Sequence, residues 1–440
     1  AFVATNFALV LPALVEASMV VEGDKTASLS VLAGVNMVYT SLVALVVLGT
    51  ATNLALSARR GALARLALNG ATPRQIVRTV IVQLVAMSLL SSVIGAVLAL
   101  LALRPVLAFL VTWRQTEASE EVPFPEPVYS LPIALAAVAI AVVVAVVGGL
   151  RQTRRASKVP PVDAVRQHAS GDEGAKMSPF RIVMAVIIGI AVVGSYLSVF
   201  STAAEVTPDT VFNLMQASLL VLVLLAMLFS LLAPVLIRPL TFAWVRLLPL
   251  AIPSWQLARR TVAPRLVRSV VPVMMTIGLL LGMASVVGSL QGTFDASGYH
   301  VEVHGTGWRT MLILLGLPLL LSLSGGVGSL IMMSKQRDAE LALLGVVGAT
   351  PRQRLLVPLL EAVIISVTAT ILALVMTAGA VGLLALGFPM THKFVFAFVP
   401  PYGIFVGAVL VTFAITIAAT VVPTLRARSM SEPAVIARLV

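Results

Sequence analysis

Four groups of residues in this chain carry enough polarity for chemistry. In Tyr299-His300-Val301-Glu302-Val303-His304 the polar positions alternate. His300, Glu302 and His304 would therefore share one face of a strand, a donor set able to hold a transition metal, with a polar external loop as the ordinary alternative. Glu361 stands inside a long apolar stretch, where an ionisable side chain is costly and marks a candidate for function. Its counterpart in an internal repeat is the neutral Gln83, and a basic string lies some ten residues away, so a structural hydrogen bond near the inner interface fits better than a proton relay. The run Glu117 to Glu126, broken by Pro123 and Pro125, reads as a solvated loop whose charge could attract a cationic peptide. The fourth group is a hexapeptide that occurs twice, Gly70-Ala71-Thr72-Pro73-Arg74-Gln75 and Gly348-Ala349-Thr350-Pro351-Arg352-Gln353. No phosphate-binding GxxxxGK[ST] string or hydrolytic signature is present, so this chain is expected not to be an enzyme and to need another chain to bind ATP. Cysteine is absent, which excludes disulfides and thiolate metal sites.

The elements that position these residues follow from composition. With 59% hydrophobic and 11% charged residues and a mean hydropathy of +1.05, the chain is far more apolar than a soluble domain, which has about 45–50% and 25%. It belongs in a lipid bilayer. Ten apolar stretches are long enough to cross as helices, roughly 1 to 19, 29 to 56, 77 to 103, 130 to 150, 180 to 200, 211 to 237, 269 to 291, 308 to 334, 355 to 385 and 402 to 425. The first begins at Ala1-Phe2 without Met or a basic flank, so the true amino terminus is expected to lie further upstream, and a signal peptide is a poor reading. If the Gly70 loop is cytoplasmic, 25 of the 30 Lys and Arg residues fall inside, leaving Lys25, Arg104, Arg114, Arg309 and Lys393 outside. That satisfies the positive-inside rule. The net charge of +12 therefore sits between spans, not on a solvated face, and no nucleic-acid partner is expected.

Sliding the sequence by 278 positions superposes the hexapeptides and also lays Ser57-Ala58-Arg59-Arg60-Gly61-Ala62-Leu63-Ala64 over Lys335-Gln336-Arg337-Asp338-Ala339-Glu340-Leu341-Ala342. An offset of 272 matches Pro161-Val162-Asp163-Ala164-Val165-Arg166 with Pro433-Ala434-Val435-Ile436-Ala437-Arg438. The expected organisation is a four-span unit over 1–168, a linker with two extra spans over 169–253, and a second four-span unit over 254–440. Both units enter the membrane in the same sense, so the repeat is parallel. The expected fold is an all-α integral membrane protein of about ten helices with short external loops.

Each repeated loop has a local logic. Leu63 to Leu68 and Leu341 to Val347 can form a short surface helix with one apolar and one charged face. Gly70 and Gly348 suit a left-handed helix end, while Thr72-Pro73 and Thr350-Pro351 suit a cap followed by proline at the first helical position. Arg74 and Arg352 are left facing the cytoplasm. A well-made turn alone would need no such agreement, so two near-identical copies favour docking of a partner. Before the seventh span, Trp255 to Arg268 fits an interfacial helix whose arginines meet anionic lipid, or a basic flank that only sets topology.

Together, the four-span unit, the charged string Glu340-Leu341-Ala342-Leu343-Leu344-Gly345, the Gly348 to Gln353 hexapeptide and the Pro161 to Arg166 tail resemble the FtsX-like permeases. These are membrane subunits of ABC transporters of the MacB, LolC and FtsX kind. The ten-span duplicated layout is similar to the bacitracin-type peptide-resistance permeases. The resemblance implies a multi-pass protein of the bacterial inner membrane. It also implies that each loop between second and third spans is a coupling helix for an ATPase. The contact residues would be Arg59, Arg60, Arg65, Gly70, Ala71, Thr72, Pro73 and Arg74, with Arg337, Asp338, Glu340, Leu344, Gly348, Ala349, Thr350, Pro351 and Arg352 in the second copy. Two ATPase copies would fill these two seats and carry the ATP and Mg; this chain would hold no cofactor. A sensor kinase or an external accessory protein is a further possible partner. The external gaps near 20 to 28 and 292 to 307 are short compared with relatives that insert a large domain there, which argues against a periplasm-bridging role.

The function expected is export or extraction of a hydrophobic or amphipathic substrate, driven by the separate ATPase pair. Two alternatives stay open: an FtsX-like mechanotransmitter that activates a partner without transport, and an ion-coupled secondary transporter. The lack of paired intramembrane charges weighs against the second. Gly325-Gly326-Val327-Gly328, Gly148-Gly149 and the Gly278/Gly282 pair are expected to allow close helix contact or bending.

Overall fold

Within hydrocarbon every backbone N–H and C=O must find its partner in the same segment, so long apolar stretches fold as helices. The computed structural model describes residues 2–20, 36–49, 70–118, 124, 126–136, 138–140, 142–143, 179–202, 208–247, 252–263, 266–298, 315–332, 348–390 and 394–427. Among the described residues no strand is present. In chain order the helices are α1 (Phe2–Val20), α2 (Asn36–Gly49), α3 (Pro73–Ala118), α4 (Leu131–Ile140), α5 (Pro179–Thr202), α6 (Pro208–Leu247), α7 (Pro253–Val262), α8 (Leu266–Ala296), α9 (Leu315–Met332), α10 (Pro351–Met390) and α11 (Tyr402–Ala427).

The protein is an all-α membrane protein. Each of the ten expected spans contains a described helix, and seven of these are long and apolar enough to cross a membrane: α3, α5, α6, α8, α9, α10 and α11. The apolar helices within the other three expected spans, Val3–Val15, Asn36–Gly49 and Leu131–Ile140, are shorter. Surroundings differ among the long helices. In the apolar window of α8 94% of the residues are buried and in that of α5 only 17%, so α8 is packed on nearly all sides while α5 is covered on few.

Several helices run past the expected spans. The apolar parts of α3 and α10, Arg74–Thr112 and Arg352–Met390, are both 39 residues and begin at corresponding positions. At 1.5 Å per residue each is about 58 Å long, nearly twice the ~30 Å hydrocarbon thickness. The third expected span ends at 103, yet α3 continues through Pro105 to Ala118. Proline removes one helical hydrogen bond, and packing on either side of it compensates. Leu103, Leu107 and Leu110 of α3 are buried against Val10, Leu11 and Leu14 of α1. Lower on the same seam, Ser92 Oγ lies 2.7 Å from Asn6 Oδ1, and a Cβ at Gly95 would lie 2.7 Å from Asn6 Cβ, so only glycine permits this approach.

Contacts group the chain into two compact units, one of residues 1–170, 287–324 and 388–399, the other of 171–286, 325–387 and 400–440. In the first unit, non-helical segments are pinned to helix ends by hydroxyls. The Val128 N–H donates to Ser18 Oγ at 3.0 Å, and the Val395 N–H donates to Ser297 Oγ at 2.9 Å. Both serines in turn donate to the carbonyl four residues earlier, at Leu14 and Thr293. A single hydroxyl thus donates back to its own helix and accepts an amide from a non-helical segment. Phe294, Phe388 and Phe394 close the same region with edge-to-face contacts at centroid distances of 5.3 to 6.4 Å.

In the second unit the glycines of α8 admit neighbouring side chains. A Cβ at Gly278 would lie 2.7 Å from Met376 Cε, and one at Gly282 would lie 2.3 Å from Leu222 Cδ1. The expected close contact at this pair is present. Gly326 faces Pro272 with a Cβ distance of 3.5 Å, whereas Gly328 has nothing within 4 Å; Gly148 and Gly149 lie outside the described residues.

Candidate functional site

The two hexapeptides adopt the same conformation. Gly70 has φ 87° and Gly348 φ 97°, the left-handed region where a side chain is disfavoured. After each glycine the chain turns directly into a long helix, with Pro73 or Pro351 as its first residue, a position where the missing N–H is not needed. The Thr72 N–H donates to Gln75 Oε1 at 2.8 Å while the Gln75 N–H donates to Thr72 Oγ1 at 3.4 Å. In the second copy the Thr350 N–H donates to Gln353 Oε1 at 2.9 Å and the Gln353 N–H to Thr350 Oγ1 at 3.3 Å. This is a reciprocal capping box. The first helical bonds also match, Ile76 N–H to Thr72 carbonyl at 3.1 Å and Arg354 N–H to Thr350 carbonyl at 3.0 Å.

Within both turns the glycine and threonine are exposed, the alanine is half-buried, and the following arginine, Arg74 or Arg352, is exposed. Each turn therefore presents a guanidinium beside the start of a helix more than 20 residues long. The copies diverge one residue beyond the hexapeptide, where Ile76 is buried and Arg354 is half-buried. Arg59, Arg60, Arg65, Arg337, Asp338, Glu340 and Leu344 lie outside the described residues, as do His300, Glu302 and His304 and the short surface helices expected before each glycine. Of the acidic run, Glu126 is described and is exposed. Gln75 and Gln353 are not in the expected contact set, although Thr-x-x-Gln ahead of an apolar run is the signal for a capping box.

The two intramembrane polar positions have different fates. Gln83 is exposed on α3, whereas Glu361 is 1% exposed on α10. Thr261 Oγ1 donates to Glu361 Oε1 at 2.5 Å, so a span is tied to the short helix α7. α7 is amphipathic: Trp255, Ala258 and Val262 are buried while Gln256 and Arg260 are exposed. It starts at Pro253 and ends at Val262, and a new helix begins at Leu266, so the expected Trp255 to Arg268 segment divides between two helices. Its Trp255 ring meets Trp244 of α6 edge-on at 6.4 Å, and Trp244 Nε1 donates to Thr368 Oγ1 of α10 at 3.0 Å. Thr241 Oγ1 lies 3.1 Å from the same Thr368 oxygen. α6, α7 and α10 are thereby joined by a polar and aromatic contact set within the second unit.

Both turns are thus capped, carry an exposed arginine and lead into a long apolar helix. Comparison with known families decides the class: the family model described as FtsX-like permease C-terminal matches residues 35–161 and 311–431. The chain belongs to the FtsX-like permease family. As an FtsX-like permease it is a multi-pass membrane component of the ABC-transporter permease type, and the matched ranges include both hexapeptides. No curated protein and no solved structure matches the chain.

Proposed function

We propose that this FtsX-like permease couples ATP hydrolysis by two copies of a separate ABC ATPase to movement of a hydrophobic or amphipathic substrate across or out of the bacterial inner membrane. The observation that carries this reading is the congruence of the two hexapeptide turns. Turn formation alone requires a left-handed residue and a cap. It does not require Ala-Thr-Pro-Arg-Gln twice, with the same exposed arginine.

In this reading the segments Arg59 to Arg74 and Arg337 to Arg352 are the two seats. Gly70 and Gly348 let each seat reverse sharply, and the capping boxes of Thr72 with Gln75 and Thr350 with Gln353 transmit force into α3 and α10 without fraying. The latch of Thr261, Glu361, Trp244 and Thr368 makes α10 move with α6 and α7. ATP and Mg belong to the ATPase, and this chain supplies positioning and transmission only.

The test replaces Gly348 to Gln353 with a neutral linker of equal length and measures co-purification of the ATPase. The ATPase is expected to be lost while the permease stays monodisperse and keeps its helical circular dichroism; unchanged co-purification sinks the proposal.

A further inference from the structure

α3 and α10 are counterparts, yet their outer halves meet different surroundings. On α10 the face bearing Gly379, Gly382 and Gly387 is covered by α5 and α6. A Cβ at Gly379 would lie 2.4 Å from Leu225 Cδ1, one at Gly382 3.3 Å from the Tyr196 hydroxyl, and one at Gly387 2.8 Å from Leu214 Cδ2. The Tyr196 hydroxyl also donates to the Gly379 carbonyl. The corresponding α3 residues, 278 positions earlier, are Leu101, Arg104 and Phe109. Leu101 is 71% exposed, Arg104 is exposed, and two open grooves run along this side of α3.

The outer groove, about 780 Å³, lies between Leu101, Arg104 and Ala108 of α3 and the rings of Phe124 and Tyr129. The second, about 670 Å³, shares Leu101 and continues past Leu98 to Val3 and Phe7 of α1 and Leu320 of α9. Leu98, Leu101, Arg104 and Ala108 recur at three and four residues, so they form one stripe on the helix. Positive-inside orientation puts Arg104 at the external end of this span. The combined groove is therefore apolar towards the membrane interior and carries the Arg104 guanidinium at its outer end, where the segment bearing Phe124 and Tyr129 also holds the exposed Glu126. Among the described residues no carboxylate pairs with Arg104.

We propose that this groove binds an anionic phospholipid of the outer leaflet, with its phosphate on the Arg104 guanidinium and an acyl chain along Leu101 and Leu98. Charge complementarity selects the headgroup, because a planar guanidinium binds phosphate through two parallel donors. A protein helix is a poorer occupant. A helix packed there would bury the charge of Arg104, whereas the α3 seam with α1 is built from Leu103, Leu107 and Leu110. The site stands independently of ATPase docking.

Native mass spectrometry of the full, delipidated chain tests this, with phosphatidylglycerol and phosphatidylcholine of identical acyl chains as probes and glycerol phosphate as competitor. Phosphatidylglycerol is expected to be retained over phosphatidylcholine, Arg104→Gln to weaken its retention about fivefold, Arg104→Lys to keep most of it, and glycerol phosphate not to compete. Equal retention of the two lipids by the unaltered chain overturns the proposal, and so does an unchanged Arg104→Gln variant. Displacement by glycerol phosphate would indicate a free-anion site, and self-association broken by Leu101→Gln would indicate a second copy; either result overturns it too. The comparison of lipids on the unaltered chain decides even if Arg104→Gln folds poorly.

Discussion

The hydroxyl of Thr261 donates to Glu361 Oε1 at 2.5 Å, joining the amphipathic helix α7 to a buried carboxyl side chain ten residues into α10. A carboxyl group in this environment can serve as a structural acceptor or as a proton carrier, and its partner favours the first. Thr261→Val keeps the shape and removes the donor, so thermal unfolding in detergent should show a loss of about 1–2 kcal/mol. Glu361→Gln keeps an acceptor and should retain transport-linked ATPase stimulation; its abolition in a normally stable protein would restore the proton-relay reading.

Trp244 extends the same latch through its indole N–H to Thr368 Oγ1 at 3.0 Å. Trp244→Phe preserves the edge contact with Trp255 and loses the hydrogen bond, with an expected destabilisation of about 1 kcal/mol. Thr368→Val removes the oxygen that faces both Trp244 and Thr241 and should be worse. Because the two changes share one bond, a double-mutant cycle should give less than the sum; strict additivity would show that the latch is not coupled.

At Gly70 and Gly348 the constraint is backbone conformation alone, since a Cβ at either would meet nothing within 4 Å. Alanine at either position should weaken the turn by about 1–2 kcal/mol through φ strain, with asparagine milder. ATPase co-purification should fall in the same order. Gln75→Ala and Gln353→Ala, which unmake the capping boxes without touching an arginine, should produce a smaller decline of about 1 kcal/mol in helix-start stability. Hydrogen exchange at the first turns of α3 and α10 measures it.

Gly282 and Gly328 separate packing from propensity. Gly282→Ala places a methyl 2.3 Å from Leu222 Cδ1, and Leu222 is fully buried and has little room to retreat. A loss of about 1–3 kcal/mol in thermal stability is expected. Gly328→Ala meets nothing within 4 Å and should be neutral or stabilising, because alanine is the better helix former by up to about 1 kcal/mol. Equal effects at both positions would refute the assignment of Gly282 to close packing.

Much of the fold was legible because lipid leaves the backbone few choices. An apolar stretch of twenty or more residues has to become a helix, so each of the ten expected stretches holds a described helix, seven of them long enough to cross. The hexapeptide turns were legible for a similar reason: glycine, threonine and proline act through their own dihedrals and donors, and φ 87° and 97° with Thr72 and Thr350 as caps follow from local chemistry. Helix ends were less legible. Arg104-Pro105 looks like a stop, and only burial of Leu103 and Leu107 against α1 keeps α3 going.

By itself, then, the sequence determined the membrane class, the recurrence of the hexapeptide and the conformation of the two turns, all set by composition or by contacts within a few residues. Tertiary structure decided what the repeats do not share. Gln83 is exposed and Glu361 buried, and Gly379 is covered by Leu225 while its counterpart Leu101 lines an open groove. The reason is that a repeat fixes which residues correspond, whereas burial depends on which distant helix arrives, and α5 and α6 have only one α10 to cover.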